Sequence, residues 1–203
     1  MWYIIIRIII GLIIGSILFF ILKKSKIKKN FLCFFLSFFI ALISSYILYC
    51  IPIENLFVDF SSPEKAFNYL YSGNIKKTID GESSTMILYT KNNVHSQAII
   101  PKNNNNWKLD IFQLNNSIAA KTVNRHIINI YNARNTDDYY ITIWDSFTDH
   151  SINVTDNENS KFQYIIEENR ATADKNIIYY AYIKGIEKNY SITIDGEKIS
   201  LFN

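Results

Sequence analysis

Two unbroken apolar stretches open the chain, residues 2–22 (WYIIIRIIIGLIIGSILFFIL) and 31–51 (FLCFFLSFFIALISSYILYCI). A helix packed on a soluble core keeps one polar face at helical spacing, and apart from Arg7 neither stretch has one. At about 1.5 Å rise per residue each is long enough to cross a hydrocarbon core of roughly 30 Å. The pattern therefore predicts a transmembrane hairpin over residues 1–51, with a loop at 23–30. Gly11 and Gly15 make a GxxxG step, and Ser37, Ala41 and Ser45 make a small-residue stripe of the same period. Small side chains let helix backbones approach closely, and helices joined by a short loop are neighbours, so these faces are expected to pack on each other. Packing against another protein is the alternative use of the same stripe.

After a linker at residues 52–61 the pattern changes. Ser62-Pro63-Glu64 supplies a cap, a proline at the first helical position and an acid in the first turn, and Ala66, Phe67, Leu70 and Tyr71 give the helix one apolar face. Gly73 is placed to end it. Strand patterns follow at 75–80, 84–90, 94–101 and 107–112, separated by Asn-rich turns. Residues 62–112 thus read as a small α+β module, one short helix on a β-meander. Across 121–203, strand patterns recur at 124–131, 138–144, 151–154, 162–167, 177–184, 190–194 and 198–202. Asp195-Gly196 between the last two is a strong hairpin signal. Short strands at this spacing predict an immunoglobulin-like or fibronectin-like β-sandwich.

Charge orients the hairpin. All 18 acidic residues lie from Glu54 onward, whereas six of the 21 basic residues precede it, five of them being Lys23, Lys24, Lys26, Lys28 and Lys29 in and beside the loop. Short loops rich in lysine stay in the cytoplasm, which predicts a multi-pass protein of the cell membrane with both termini outside. Arg7 then lies near the outer end of its helix, with its guanidinium expected to reach the headgroups. A signal peptide carries its positive charge before the apolar stretch, and here the charge comes after. Lipidation at Cys50 wants a small preceding residue, and Tyr49 is bulky. From Glu54 on there are 15 basic and 18 acidic residues, a net charge of −3 that argues against a nucleic-acid partner.

Cys33 and Cys50 are the only cysteines, about 25 Å apart by helical rise and so too far for a disulfide. The outer region has no thiol nucleophile and no cysteine-based zinc site.

The segments FSSPEKAFNYL, AIIPKNNNNWKL and NIIYYAYIKGIEKNYSITIDGEKISL together resemble a group of small membrane-anchored proteins, of uncharacterised function, from bacteria of low genomic GC content. The resemblance implies a bacterial cell-surface protein with a mostly β extracytoplasmic domain. It brings no polar constellation that assigns chemistry.

Candidate chemistry is sparse. His95 sits in a predicted strand, and His126 in an alternating segment where it is expected to face solvent. Asp149-His150-Ser151, near Asp145, sets three triad residue types side by side, but neighbours on a strand point to opposite faces and a triad converges from distant positions. There is no G-x-S-x-G elbow, P-loop, G-x-G-x-x-G or H-E-x-x-H motif. Asp156, Glu158, Ser160 and Glu167 fall at positions 1, 3, 5 and 12 of a calcium loop, a weak metal candidate because Lys161 stands where glycine makes the sharp turn. Asp137-Asp138 reads as a solvated turn, and Glu167-Glu168 as a solvated strand end. The 14 tyrosines suit either a contact surface or ordinary strands. The expectation is a membrane-anchored extracytoplasmic binding or regulatory protein, without catalysis or cofactor, whose partners are the lipid bilayer and a protein at the cell surface or in the membrane. The alternatives are a cell-envelope enzyme with an acidic or histidine site, and a membrane-complex subunit or immunity factor working through its hairpin.

Overall fold

The structure, a computed structural model, describes residues 2–24, 30–50, 53–109, 117–146, 152–168 and 175–202. Helices α1 (Trp2–Lys24) and α2 (Asn30–Cys50) run side by side, each long and apolar enough to cross a membrane. Their contact is built on the small residues. A Cβ added to Gly15 would stand 2.6 Å from the Ala41 methyl and 3.3 Å from the Ser37 carbonyl, and one added to Gly11 would meet Ser45. Ser37 and Ala41 are buried, while large apolar side chains such as Phe34, Phe38 and Ile17 point outward.

A 3₁₀ turn (Ile53–Leu56) leads to α3 (Pro63–Leu70). The Ser62 hydroxyl accepts from the Lys65 amide at 3.3 Å, with Pro63 in the first turn, so the cap forms as its sequence signature implies. Strands β1 (Asn74–Asp80), β2 (Ser84–Lys91), β3 (Val94–Asn103) and β4 (Asn106–Trp107) form an antiparallel sheet in that order. Asn92 and Asn93 both take positive φ in the β2–β3 turn, a conformation that asparagine tolerates better than most residues.

The remaining strands make two further antiparallel sheets. One contains β5 (Ser117–Val123), β6 (His126–Asn132), β7 (Asp138–Ser146), β10 (Lys175–Lys184) and β9 (Gln163–Glu168), in the order β5-β6-β7-β10-β9. The other contains β12 (Glu197–Ser200), β11 (Ser191–Ile194) and β8 (Val154–Asp156), in the order β12-β11-β8. The β11–β12 turn is Asp195-Gly196, both at positive φ, as the short hairpin requires.

These elements stack in four layers. Phe67, Leu70 and Ala66 of α3 pack with Ile87, Tyr89, Ala98 and Ile100 on one face of the first sheet. Met86, Leu88 and Ile79 on its other face pack with Tyr131, Tyr140, Ile178 and Tyr180 of the five-stranded sheet. The far side of that sheet, through Ile128, Ile141, Ile143, Ile177 and Tyr179, covers Ile192, Ile194 and Ile199 of the three-stranded sheet. Both faces of β2 and β10 are therefore covered, and this is why MILY and IIYYA read as continuous apolar runs where an open sheet would alternate. Segments 62–109 and 117–202 share this middle core.

Candidate functional site

The hairpin meets the β region at a charged junction. Arg7 projects from α1 toward the turn that follows α2, where its Nε donates to Glu54 Oε1 at 3.1 Å and its Nη2 to Oε2 at 2.7 Å. The Tyr69 hydroxyl of α3 donates to Oε1 at 3.0 Å. One carboxylate thus ties together the first helix, the exit from the second, and the helix that caps the first sheet. A bidentate guanidinium–carboxylate pair fixes orientation as well as distance. Arg7 is only 3% exposed, so its guanidinium is held by protein and does not reach outward as the sequence alone suggested. Burial pushes the Glu54 carboxyl up, but the Arg7 guanidinium, the residue's own backbone amide and Tyr69 outweigh it and hold the pKa below the usual range.

The segment expected to be a linker is stapled down. The Asn55 amide donates to the Leu109 carbonyl and accepts from the Leu109 amide, each at 2.8 Å. Lys108 Nζ donates to the Asn55 carbonyl at 2.8 Å, reaches the Val58 carbonyl at 3.4 Å and pairs with Asp59. Phe60 and Trp107 exchange backbone hydrogen bonds at 3.0 and 3.2 Å.

A second polar centre lies between the first and five-stranded sheets. Asp138 Oδ2 accepts from the Ser83 amide at 2.8 Å and the Ser84 hydroxyl at 2.7 Å, and Oδ1 accepts from the Tyr182 hydroxyl at 2.9 Å. Tyr140 shares a 2.8 Å hydrogen bond with Ser84. Asp138 is 2% exposed, which corrects its reading as part of a solvated turn; Asp137 alone is exposed. Gly81 is required here, since a Cβ would stand 2.5 Å from the Tyr140 hydroxyl and 2.7 Å from Asp138 Oδ2.

His126 is buried, with Nδ1 3.4 Å from Asp145 Oδ1, and Arg125 Nε lies 3.0 Å from the same oxygen. The expectation that His126 faces solvent is thereby corrected: the β6–β7 register sets it opposite Asp145. His95 meets Trp144 edge-on at 4.9 Å, a contact between the two larger sheets. Asp149, His150 and Ser151 lie outside the described residues.

The calcium-loop residues are dispersed. Asp156 Oδ1 accepts from the Glu158 amide at 3.2 Å and the Ser160 amide at 2.8 Å, and Oδ2 accepts from the Tyr190 hydroxyl at 2.8 Å. The Asp156 carboxylate thus closes its own turn. Glu158 is exposed, and Glu167 belongs to β9 in a different sheet. Among the described residues no group of three or more histidine, cysteine, aspartate or glutamate side chains is arranged to hold a metal ion. Lys23 and Lys24 are exposed at the end of α1, and Lys26, Lys28 and Lys29 lie outside the described residues. Cys33 is buried in α2.

Many of the tyrosines of the β region are core, although Tyr164 of β9 is exposed. Tyr131, Tyr140, Tyr179, Tyr180 and Tyr190 are buried, and Tyr180 donates to Gln163 at 2.9 Å while Tyr179 accepts from the Ile152 amide at 3.0 Å. Buried tyrosine is tolerated where its hydroxyl finds a partner.

No family model matches the chain, and no curated protein or solved structure matches it significantly. At the junction, buried charge joins the apolar hairpin to the β region.

Proposed function

We propose that this chain is a membrane-anchored extracytoplasmic binding or regulatory protein without catalytic activity, whose β region meets a protein partner at a cell surface and is held in fixed orientation over its anchor. The observation that carries this reading is the buried Arg7–Glu54–Tyr69 junction. A passive tether needs no such bond, because a flexible linker delivers a domain to a surface equally well. A domain clamped to two membrane helices presents one face at one height, and it passes force or rotation between partner and hairpin.

Two further features support the reading. The lysines at the end of α1 favour a cytoplasmic loop and extracytoplasmic termini, which sets the β region outside. The carboxylates of Glu54, Asp138 and Asp156 are each engaged by donors that build the fold.

The test exchanges residues 1–50 for an unrelated two-helix anchor of the same topology and follows capture of crosslinked partners by full-length protein in its native membrane. A partner captured through the β region by the wild-type chain, retained when the new anchor carries an arginine at position 7 and lost or changed when it does not, supports clamped presentation; loss in both cases points to a complex subunit working through its hairpin. A hydrolytic or transfer activity that disappears on His126→Gln would instead establish an enzyme.

A further inference from the structure

Immediately beyond the junction the chain turns three consecutive apolar side chains outward. Leu56 is 77% exposed, Phe57 83% and Val58 41%, consecutive residues within a few positions of the end of α2. Isolated exposed apolar residues need no explanation, but three in a row on a well-built turn do.

The backbone of this turn is satisfied from within. The Glu54 carbonyl accepts from the Phe57 amide at 3.0 Å and the Val58 amide at 2.7 Å, and the Asn55 and Val58 carbonyls accept from Lys108 Nζ. A segment entering an apolar interface must satisfy its backbone internally, and a segment bathed in water has no such need. Lys108 and Asp59 form a polar rim beside the knob. Tyr46, in the last turns of α2, is 70% exposed.

We propose that Leu56, Phe57 and Val58 are a lipid-inserting knob that seats the β region on the outer-leaflet interface of the membrane crossed by the hairpin. The proposal rests on the reading of α1 and α2 as membrane spans. The occupant is lipid because the knob follows the end of α2 within a few residues of the chain, and because the Arg7–Glu54 pair fixes the turn beside the N-terminal end of α1, which the topology reading sets at the outer interface. Aromatic and aliphatic side chains beside a polar rim suit a segment lying at the membrane interface.

The test places a benzophenone amino acid at Phe57 of the full-length protein in phosphatidylcholine vesicles and identifies photoadducts by mass spectrometry. Phe34, which points outward from α2, and Val94, 66% exposed in the β2–β3 hairpin, serve as references, and Leu56 is a second probe position. The expected result is lipid adduct at Phe57 and Leu56 in a yield closer to that at Phe34 than to that at Val94. Lipid adduct at Phe34 with none at Phe57 or Leu56, or with protein adducts there instead, overturns the knob and leaves the membrane hairpin standing. Absence of lipid adduct at Phe34 as well overturns both.

Discussion

The Ser84 hydroxyl donates a 2.7 Å hydrogen bond to the carboxylate of Asp138, 54 residues further along the chain, and the pair lies buried between the first sheet and the five-stranded sheet. Their contact makes the interface selective as well as apolar. Met86 and Leu88 would pack acceptably on Tyr140 and Tyr180 in more than one register, whereas the Asp138 carboxylate, which also takes the Ser83 amide and the Tyr182 hydroxyl, is satisfied in one.

Asp138→Ala leaves the Ser83 amide and two hydroxyls without their acceptor. An orphaned buried donor costs about 1–3 kcal/mol and a part-exposed one less; with Ser84 buried, Tyr182 half-buried and Ser83 exposed, a loss of roughly 2 kcal/mol is expected, and less for Asp138→Asn, which keeps one oxygen. Urea unfolding of the full-length protein in detergent micelles measures it. Ser84→Ala combined with Asp138→Ala should cost less than the two separate losses added together; strict additivity would show that the pair does not interact.

Tyrosine burial gives the β region an alkaline limit. Burial, the hydrogen bond to Asp138 and the nearby carboxylates push the Tyr182 hydroxyl up to about 12. Burial first, with the Asp156 contact, raises Tyr190, and burial likewise raises Tyr140 beyond what its Ser84 bond offsets. A group whose folded pKa is raised contributes stability that is whole below its unfolded pKa, near 10, and is lost as pH climbs toward the folded value. Stability should therefore hold to about pH 10 and fall steeply above it. The part of the phenolate absorbance that disappears in Tyr190→Phe or Tyr140→Phe should rise together with the change in circular dichroism; its appearance while the fold is intact would contradict the burial.

Much of the architecture was legible because its signals are local. The hairpin follows from length and apolarity, α3 from Ser62 and Pro63, and the last turn from Asp195-Gly196, each a property of a few adjacent residues. Strand β5, SIAAKTV, escaped because it is short of large apolar residues and lies at a sheet edge, where pairing with β6 rather than burial defines it. The junction escaped for another reason. Arg7 and Glu54 are 47 residues apart, and nothing in the spacing says that a lone arginine in an apolar helix will meet the first acid of the chain. The one available hint was that Arg7 is the only charge within either apolar stretch and therefore needed a partner. Asp138 was misjudged because a turn acid is usually solvated, and only the packing of a second sheet changes that.

The hairpin contact tolerates little added volume. A Cβ on Gly15 would meet the Ala41 methyl at 2.6 Å, and the backbone carbonyl of Ser37 at 3.3 Å prevents easy relief. Gly15→Ala should separate the helices at a cost of roughly 1–3 kcal/mol, and Ala41→Gly in the same chain should recover part of it. Crosslinking between cysteines placed on facing positions of α1 and α2 reads the separation. Unchanged crosslinking in Gly15→Ala would show that the two faces do not set the helix spacing.

The Arg7–Glu54 pair should behave as a buried charge pair does, costly to break from one side and far less costly to remove whole. Glu54→Gln strands a guanidinium that is 3% exposed, and a destabilisation of about 3 kcal/mol is expected. Arg7→Met with Glu54→Leu removes both charges, and its stability should return most of the way to the wild-type value. Orientation should not return with it, because apolar side chains at these positions impose no bidentate geometry and Tyr69 loses its acceptor. The pH dependence has a definite sign. The folded pKa of Glu54 lies below its ordinary value of 4.5, so the contribution is whole above that value and is lost as pH falls through the lowered one. Thermal unfolding of wild type and Glu54→Gln, measured from pH 7 down to about pH 3, should converge at the acid end because the protonated wild-type carboxyl then resembles the amide. A gap between them that persists unchanged to the lowest pH would mean that the junction is held by shape alone and that the charge of Glu54 contributes nothing to it.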